Sequence, residues 1–240
     1  MKKKVLLTLA AAMAVTSVAF ASPLTNYDKG SLALDLNTSI SPKAELTVDG
    51  MSESDDSKER LGAGISYGLG NKFALQYKFL DNKTQDYLLY EYSDPFNYDN
   101  LTFNAKLTGH ELNVLYQINP NLSAYVGWTR STLKATLTEN YGPNPGNITE
   151  SESISDKRSN NGYQVGLVGQ TKLADKLTGW ASLSAGNKVN AYEIGVGYDV
   201  AQNTELNFFY REVKYKDFNY DDTKLDVKAK GLGAGVTFKF

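Results

Sequence analysis

The stretch that decides the fold is "GLGAGVTFKF", Gly231–Phe240. Its even-numbered residues are apolar, and its odd-numbered residues are glycine, threonine or lysine. Strict alternation of this kind predicts a β-strand whose two faces meet different surroundings. The sequence therefore has to be searched for further strands of the same type.

The same alternation recurs in about ten segments, most of them near the 9–11 residues that a tilted strand needs to cross a bilayer. The segments are Ser31–Ile40, Leu61–Leu69, Phe73–Phe79, Leu112–Ile118, Leu122–Trp128, Tyr163–Leu173, Leu177–Ala185, Tyr192–Val200, Leu206–Val213 and Lys228–Phe240. Beyond the first twenty residues, no apolar run approaches the roughly 18–20 residues of a helical span. If the chain enters a membrane, we expect it to do so as strands.

The connections between successive segments alternate between short and long, so that short ones lie at one end of the strands and long ones at the other. Short turns of polar residues are expected at 70–72, 119–121, 174–176 and 201–203. Long polar loops are expected at about 41–59, 80–109, 132–160 and 215–227, with 187–190 as a short exception. Short turns at one end and long loops at the other are typical of outer-membrane barrels.

The start of the sequence has the form of a secretory signal. Met1–Lys4 is basic, Val5–Phe20 is apolar, and Ala19–Ala21 fits a cleavage site. We expect residues 1–21 to be removed, which leaves one barrel domain at 22–240. The net charge then falls from −2 to about −5, which argues against nucleic acid as a partner. The chain has no cysteine, so disulfides and thiolate metal sites are excluded.

The residues that alternate with the apolar ones indicate which face of the strands points into the barrel. A water-facing strand would carry lysine, glutamate and threonine, whereas glycine weakens strands and fits where barrel walls approach closely. Glycine crowds this row at Gly62, Gly64, Gly68, Gly127, Gly166, Gly195, Gly197, Gly231, Gly233 and Gly235. The prediction is an all-β protein: a transmembrane antiparallel up-and-down β-barrel of about ten strands, with eight or twelve as alternatives. A soluble secreted barrel or sandwich would also alternate and is the competing fold.

Aromatic residues mark the end of the strands near the short turns. Tyr67, Tyr116 and Tyr198 each lie two residues before the end of a strand, as Phe238 does. Such a row predicts the lower aromatic girdle at the membrane boundary.

With its signal, its alternation and its terminal motif Val236, Phe238 and Phe240, the chain resembles the small porin-like class of Gram-negative bacterial outer-membrane β-barrel proteins. The resemblance implies localisation in the outer membrane after export, and contact with outer-membrane lipid and lipopolysaccharide. It also implies that the barrel-insertion machinery reads the terminal motif during assembly. We expect a monomer.

The inward rows carry charges of both signs: Asp35, Lys78, Glu111, Glu193, Asp199, Glu205, Arg211 and Lys239. Because buried charges need partners, internal pairs are expected, with Arg211 beside Glu193 or Glu205. The alternative is a narrow polar channel that these groups tune. A barrel of about ten strands is far smaller than a 16–18-stranded porin, so a narrow or plugged lumen is favoured.

Catalysis is not expected. The single histidine, His110, points outward by parity while Glu111 points inward, so the two do not form an acid–base pair. No catalytic, cofactor or metal site is predicted. An outer-membrane hydrolase that uses His110 remains a minor alternative.

The stretch "DYLLYEYSDPFNY", residues 86–98, offers a recognition surface. Its aromatic residues, which suit rigid amphipathic contacts, are Tyr87, Tyr90, Tyr92, Phe96 and Tyr98. The alternative is that they extend the wall as an upper girdle. The predicted function is envelope structure, limited solute passage or surface contact by a small barrel, and the alternative is an adhesin acting through these loops.

Overall fold

The structure is a computed structural model that describes residues 26–48, 51–56, 61–83, 86–220 and 223–240. The expected signal peptide, residues 1–21, lies outside the described residues. The described part of the chain contains no helix long and apolar enough to cross a membrane. Its strands are β1 (Leu32–Val48), β2 (Met51–Asp56), β3 (Leu61–Gly70), β4 (Phe73–Lys83), β5 (Tyr87–Ser93), β6 (Tyr98–Asn119), β7 (Leu122–Gly142), β8 (Glu150–Ala174), β9 (Leu177–Gly186), β10 (Val189–Ala201), β11 (Thr204–Tyr220) and β12 (Thr223–Lys239).

These strands form a closed antiparallel barrel. Ten of them make the ring, because β12 pairs with β1 as well as with β11. The two short strands extend the wall: β2 continues the line of β3 along β1, and β5 continues the line of β4 along β6. The predicted up-and-down barrel of about ten strands is confirmed.

The seam of the barrel is closed by backbone hydrogen bonds at the short-turn end. The amide of Leu32 donates to the carbonyl oxygen of Phe240 at 2.9 Å, and the amide of Phe240 donates to Leu32 at 2.8 Å. From there, β1 and β12 stay in register up to Ile40 opposite Leu232, where a bulge shifts the pairing. Such bulges bend a strand and help the sheet curve.

The stretches 41–59, 80–109, 132–160 and 215–227, predicted as loops, contain mostly strand where the structure describes them. For example, β7 continues to Gly142, and β8 returns from Glu150. The barrel therefore rises well above the segments that carry the alternating apolar row.

The apolar and polar faces of the wall change sides part of the way up the barrel, and for this reason the upper strands were predicted as loops. In the lower part of β6, Leu112 and Val114 are exposed on the outer face, beside the buried inward Asn113. Beyond Gly109 the inward residues Leu107 and Phe103 are fully buried. The lower part suits lipid outside, while the upper part has an apolar core like that of a soluble barrel.

This upper core joins several strands. Its buried members are Phe103, Ala105, Leu107, Leu133, Ala135, Val189, Val213, Tyr215, Phe218, Leu225 and Val227. In this upper part the polar residues face outward, as they do in a soluble barrel. The sequence search used outward apolar residues as the sign of a strand, so it assigned these segments to polar loops.

Candidate functional site

An ionic layer around Arg211 crosses the interior of the barrel at mid-height. Its Nη2 lies 3.3 Å from Oε1 of Glu111 on β6, and its Nε lies 3.5 Å from Oε2 of Glu193 on β10. All three side chains are buried. The second oxygen of Glu111 accepts a hydrogen bond from Gln164 Nε2 at 3.1 Å. Lys78 lines the same space, whose volume of about 10 Å³ leaves room for about one water molecule.

A second ionic group lies closer to the short-turn end. Lys239 Nζ is 2.7 Å from Oε2 of Glu205 and 3.7 Å from Oδ1 of Asp199. Nearby, the hydroxyl of Thr237 donates to Oδ1 of Asp35 at 2.8 Å. All eight charges predicted to face inward therefore lie on the inner side of the wall. The carboxylates beside Arg211 are those of Glu193 and Glu111, whereas Glu205 lies beside Lys239.

Aromatic rings fill the remaining width of the lumen by lying over glycines of the neighbouring strand. Trp180 is paired with Gly195, and Phe209 with Gly233. A β-carbon added at either glycine would overlap the ring. The rings of Trp180 and Phe209 contact each other, with centroids 6.3 Å apart. The inward glycines thus provide room for aromatic side chains in a narrow barrel.

The interior near the short-turn end holds a residue that the sequence reasoning missed. Tyr27, which precedes β1, is buried inside the barrel and packs with Ala33, Ala74 and Leu115. Its hydroxyl donates to Ser123 Oγ at 2.8 Å. Its backbone is held as well, since its carbonyl oxygen accepts from the amide of Gly70 at 3.0 Å. The alternating pattern begins only after Tyr27, so the sequence carries no periodic signal for this contact.

The single histidine lies on the outer wall. Nδ1 of His110 is 2.8 Å from the hydroxyl of Tyr77, and its ring lies 5.3 Å from that of Phe79. Glu111, the next residue, faces Arg211 inside the barrel. Among the described residues, no group of three or more His, Cys, Asp or Glu side chains could hold a metal ion.

The hairpin formed by β5 and β6 has an ordered tip. Oδ1 of Asp94 accepts hydrogen bonds from the backbone amides of Phe96 and Asn97, each at 2.8 Å, and Oδ2 accepts from the hydroxyl of Tyr92 at 3.0 Å. The amide of Phe96, followed by the other donors, lowers the pKa of Asp94 below its ordinary value. The tip holds the ring of Phe96 80% exposed.

The five aromatic residues predicted for recognition divide into two groups. Tyr90, Tyr92 and Phe96 are exposed. Tyr87 packs against the upper core. Tyr98 is buried, and its hydroxyl donates to Glu91 Oε1 at 3.1 Å. Three of the five are therefore available at the surface, and two support the hairpin from within.

The predicted assembly motif follows the outer face of β12. Val236 and Phe238 are opposite Leu36 and Leu34 of β1, and Phe240 is exposed beyond them. The position of these residues does not test their role in assembly, which stays a prediction.

A closed barrel whose lower part has an apolar outer face and a polar interior defines the class of transmembrane β-barrel proteins. The family model of the outer membrane protein beta-barrel domain matches residues 7–240. The chain belongs to this family, as its terminal motif and alternation predicted, and the family places it in the bacterial outer membrane. A search of curated proteins gave no match.

Several solved structures are similar to this chain at low identity. The outer membrane protease OmpT of Escherichia coli is 13% identical, with a TM-score of 0.55, and the match covers 93% of this chain and 99% of OmpT. The attachment invasion locus protein Ail of Yersinia pestis is 13% identical, with a TM-score of 0.44, 88% of this chain and 99% of Ail covered. Neisserial surface protein A is 16% identical, with a TM-score of 0.37 and coverages of 88% and 100%. The likeness to OmpT bears on the fold alone.

Proposed function

We propose that this protein is a non-conducting outer-membrane barrel that binds an external partner through the tip of the β5–β6 hairpin. The observation that carries the proposal is the exposed ring of Phe96 on a turn fixed by Asp94. A large apolar side chain held in water by a rigid turn gives contact area at little cost in conformational entropy. Tyr90 and Tyr92, which share one face of β5, enlarge this surface.

The filling of the lumen supports binding over passage. The contacts of Tyr27, the ionic layer at Arg211 and the upper apolar core follow one another along the interior. A conducting pore would need a continuous wet path, and a layer of buried apolar side chains such as the upper core opposes ion entry. The contacts of His110 give no support to a hydrolase, so that alternative is not proposed.

Cell binding tests the hairpin. Cells that express the native protein should adhere to a layer of mammalian cells, and a Tyr90→Ser/Tyr92→Ser/Phe96→Ser variant should lose most of this adhesion. Tyr141→Ser is the matched control, because Tyr141 is an exposed aromatic residue on another strand of the upper wall. Adhesion that persists in the triple variant, with equal amounts of folded protein, would contradict the proposal.

Planar-bilayer recording tests the closed lumen separately. Refolded native protein should give no steady conductance. A reproducible conductance that Arg211→Ala increases would favour solute passage instead. The two measurements are independent, since the hairpin variant leaves the residues of the lumen unchanged.

A further inference from the structure

Four lysines lie directly opposite one another on the outer wall, above the level at which the apolar and polar faces change sides. Lys83 pairs with Lys106, Lys106 with Lys134, and Lys134 with Lys157. The pairing places them on four neighbouring strands, β4, β6, β7 and β8, with β-carbons about 5 Å apart. We call this set the lysine row. It shares the outward parity of the lipid-facing residues lower on the same strands.

The row is electrostatically unfavourable by itself, because like charges directly opposite in a sheet destabilise it. Elsewhere on the upper wall, several lysines are paired with carboxylates. Lys228 Nζ lies 3.3 Å from Glu45 and 3.6 Å from Glu212, and Lys214 Nζ lies 2.8 Å from Asp226. An ordinary solvated wall of this protein therefore mixes the two signs.

Only half of the lysine row is neutralised in this way. Lys106 meets Asp81 at 2.9 Å, and Lys83 meets Asp86 at 3.6 Å. Lys134 and Lys157 are exposed, and the described residues offer neither of them an acidic partner within 4 Å. Two adjacent ammonium groups thus point outward with their charge uncompensated.

The height of the row indicates which anion it meets. The lipid-facing row ends near Leu112, Trp128 and Tyr163, which are opposite one another. Lys134 is six residues beyond Trp128, or about 20 Å along the strand and less in height because strands tilt. At this distance beyond the lipid-facing row, we expect the lysines at the level of the sugars and phosphates just outside the acyl chains. Compact ammonium groups bind phosphate as point charges.

We propose that the outer wall of β4, β6, β7 and β8 is a binding site for the phosphate groups of lipopolysaccharide in the outer leaflet, with Lys134 and Lys157 as its main contacts. Phosphates that bridge these two lysines remove their repulsion and fix the barrel in the leaflet. The site is separate from the hairpin tip and does not depend on the function proposed for it.

The test uses Lys134→Gln/Lys157→Gln and, as a matched control, Lys172→Gln/Lys176→Gln, which removes two exposed lysines at the short-turn end. Each protein is refolded in detergent, and the temperature at which its folded band disappears on gels is measured with and without deep-rough lipopolysaccharide. Lipopolysaccharide should raise this temperature by several degrees in the native protein and in the control. In the Lys134/Lys157 variant the rise should fall by more than half.

Two further measurements separate this site from a structural role. Without lipopolysaccharide, the Lys134/Lys157 variant should melt at the same temperature as the native protein or higher, because repulsion is relieved. Dephosphorylated lipopolysaccharide should give no rise in the native protein. An equal rise in the native and variant proteins would overturn the proposal. Stabilisation by heparin that matches and displaces that by lipopolysaccharide would overturn it in favour of a soluble sulfated glycan.

Discussion

At the scale of single residues, Arg211 is the centre of the lumen. It contacts carboxylates from two other strands, Glu111 and Glu193, and all three groups are withdrawn from water. Such an arrangement adds little stability compared with apolar packing, but breaking it leaves a buried charge without a partner.

Replacement of Arg211 by methionine should therefore lower the free energy of unfolding by about 3–5 kcal/mol. Lys214→Met is the matched control on the same strand, because Lys214 lies on the outer face in an ion pair with Asp226. Its loss should cost at most about 1 kcal/mol. Urea titration of the protein refolded into vesicles measures both. Equal losses in the two variants would show that the ionic layer contributes no more to stability than an ion pair on the outer face.

A glycine under an aromatic ring is sensitive to a single methyl group. Gly233→Ala should destabilise the barrel by about 1–3 kcal/mol, because the added carbon overlaps the ring of Phe209. Gly169→Ala should have little effect, since its nearest contact would be at 3.6 Å. The melting temperature of the folded band compares the two. Phe209→Leu should partly restore the stability of Gly233→Ala, and failure of this rescue would mean that the ring is not the obstacle.

At the scale of elements, the β5–β6 tip depends on one carboxylate. Asp94 binds the amides of Phe96 and Asn97 only as an acceptor, and these donors lower its pKa. A lowered pKa means that the ionised form stabilises the folded tip. That contribution is complete above the ordinary carboxyl pKa of about 4, and it is lost as the pH falls through the lowered value.

Asp94→Asn should therefore loosen the tip at neutral pH while leaving the barrel intact. We expect faster amide hydrogen exchange at Phe96 and Asn97, measured by NMR in detergent, with an unchanged melting temperature of the folded band. Asp175→Asn, in a short turn at the other end, should leave both amides as protected as in the native protein. Unchanged protection in Asp94→Asn would place the rigidity of the tip elsewhere.

For the molecule as a whole, Phe240 contributes to closure of the barrel and is predicted to contribute to its assembly in the membrane. Its backbone completes the seam with Leu32, whereas its side chain is exposed on the outer face. The predicted recognition by the insertion machinery would use the side chain, and closure uses the backbone.

The two roles can be separated by comparing Phe240→Ala with deletion of Phe240. The alanine variant keeps the seam hydrogen bonds, so it should refold in detergent with native stability yet insert less in cells. The deletion variant should lose stability in detergent as well. Membrane fractionation and gel melting measure these outcomes, and normal insertion of Phe240→Ala would contradict a role of the side chain in assembly.

The lower barrel could be predicted from the amino-acid sequence. Lipid outside and a packed interior impose an alternation of apolar and polar residues with a period of two. A segment such as Gly231–Phe240 therefore indicates both that it is a strand and which of its faces points outward. The same parity assigned Arg211 and the other charges to the interior. The class of protein and its approximate strand number follow from such local rules.

The contacts inside the barrel, the upper wall and the lysine row became visible only in the folded structure. Arg211 and Glu111 are one hundred residues apart, and Lys134 meets Lys106 and Lys157 through register, which depends on pairing between distant segments. The upper wall and Tyr27 were missed because their burial comes from neighbouring strands, and the outward apolar row that lipid imposes is absent there. The alternation of residues along a strand reflects whether each face meets lipid, water or the interior. Side-chain contacts across the lumen form only when the barrel closes, so the alternation does not predict them.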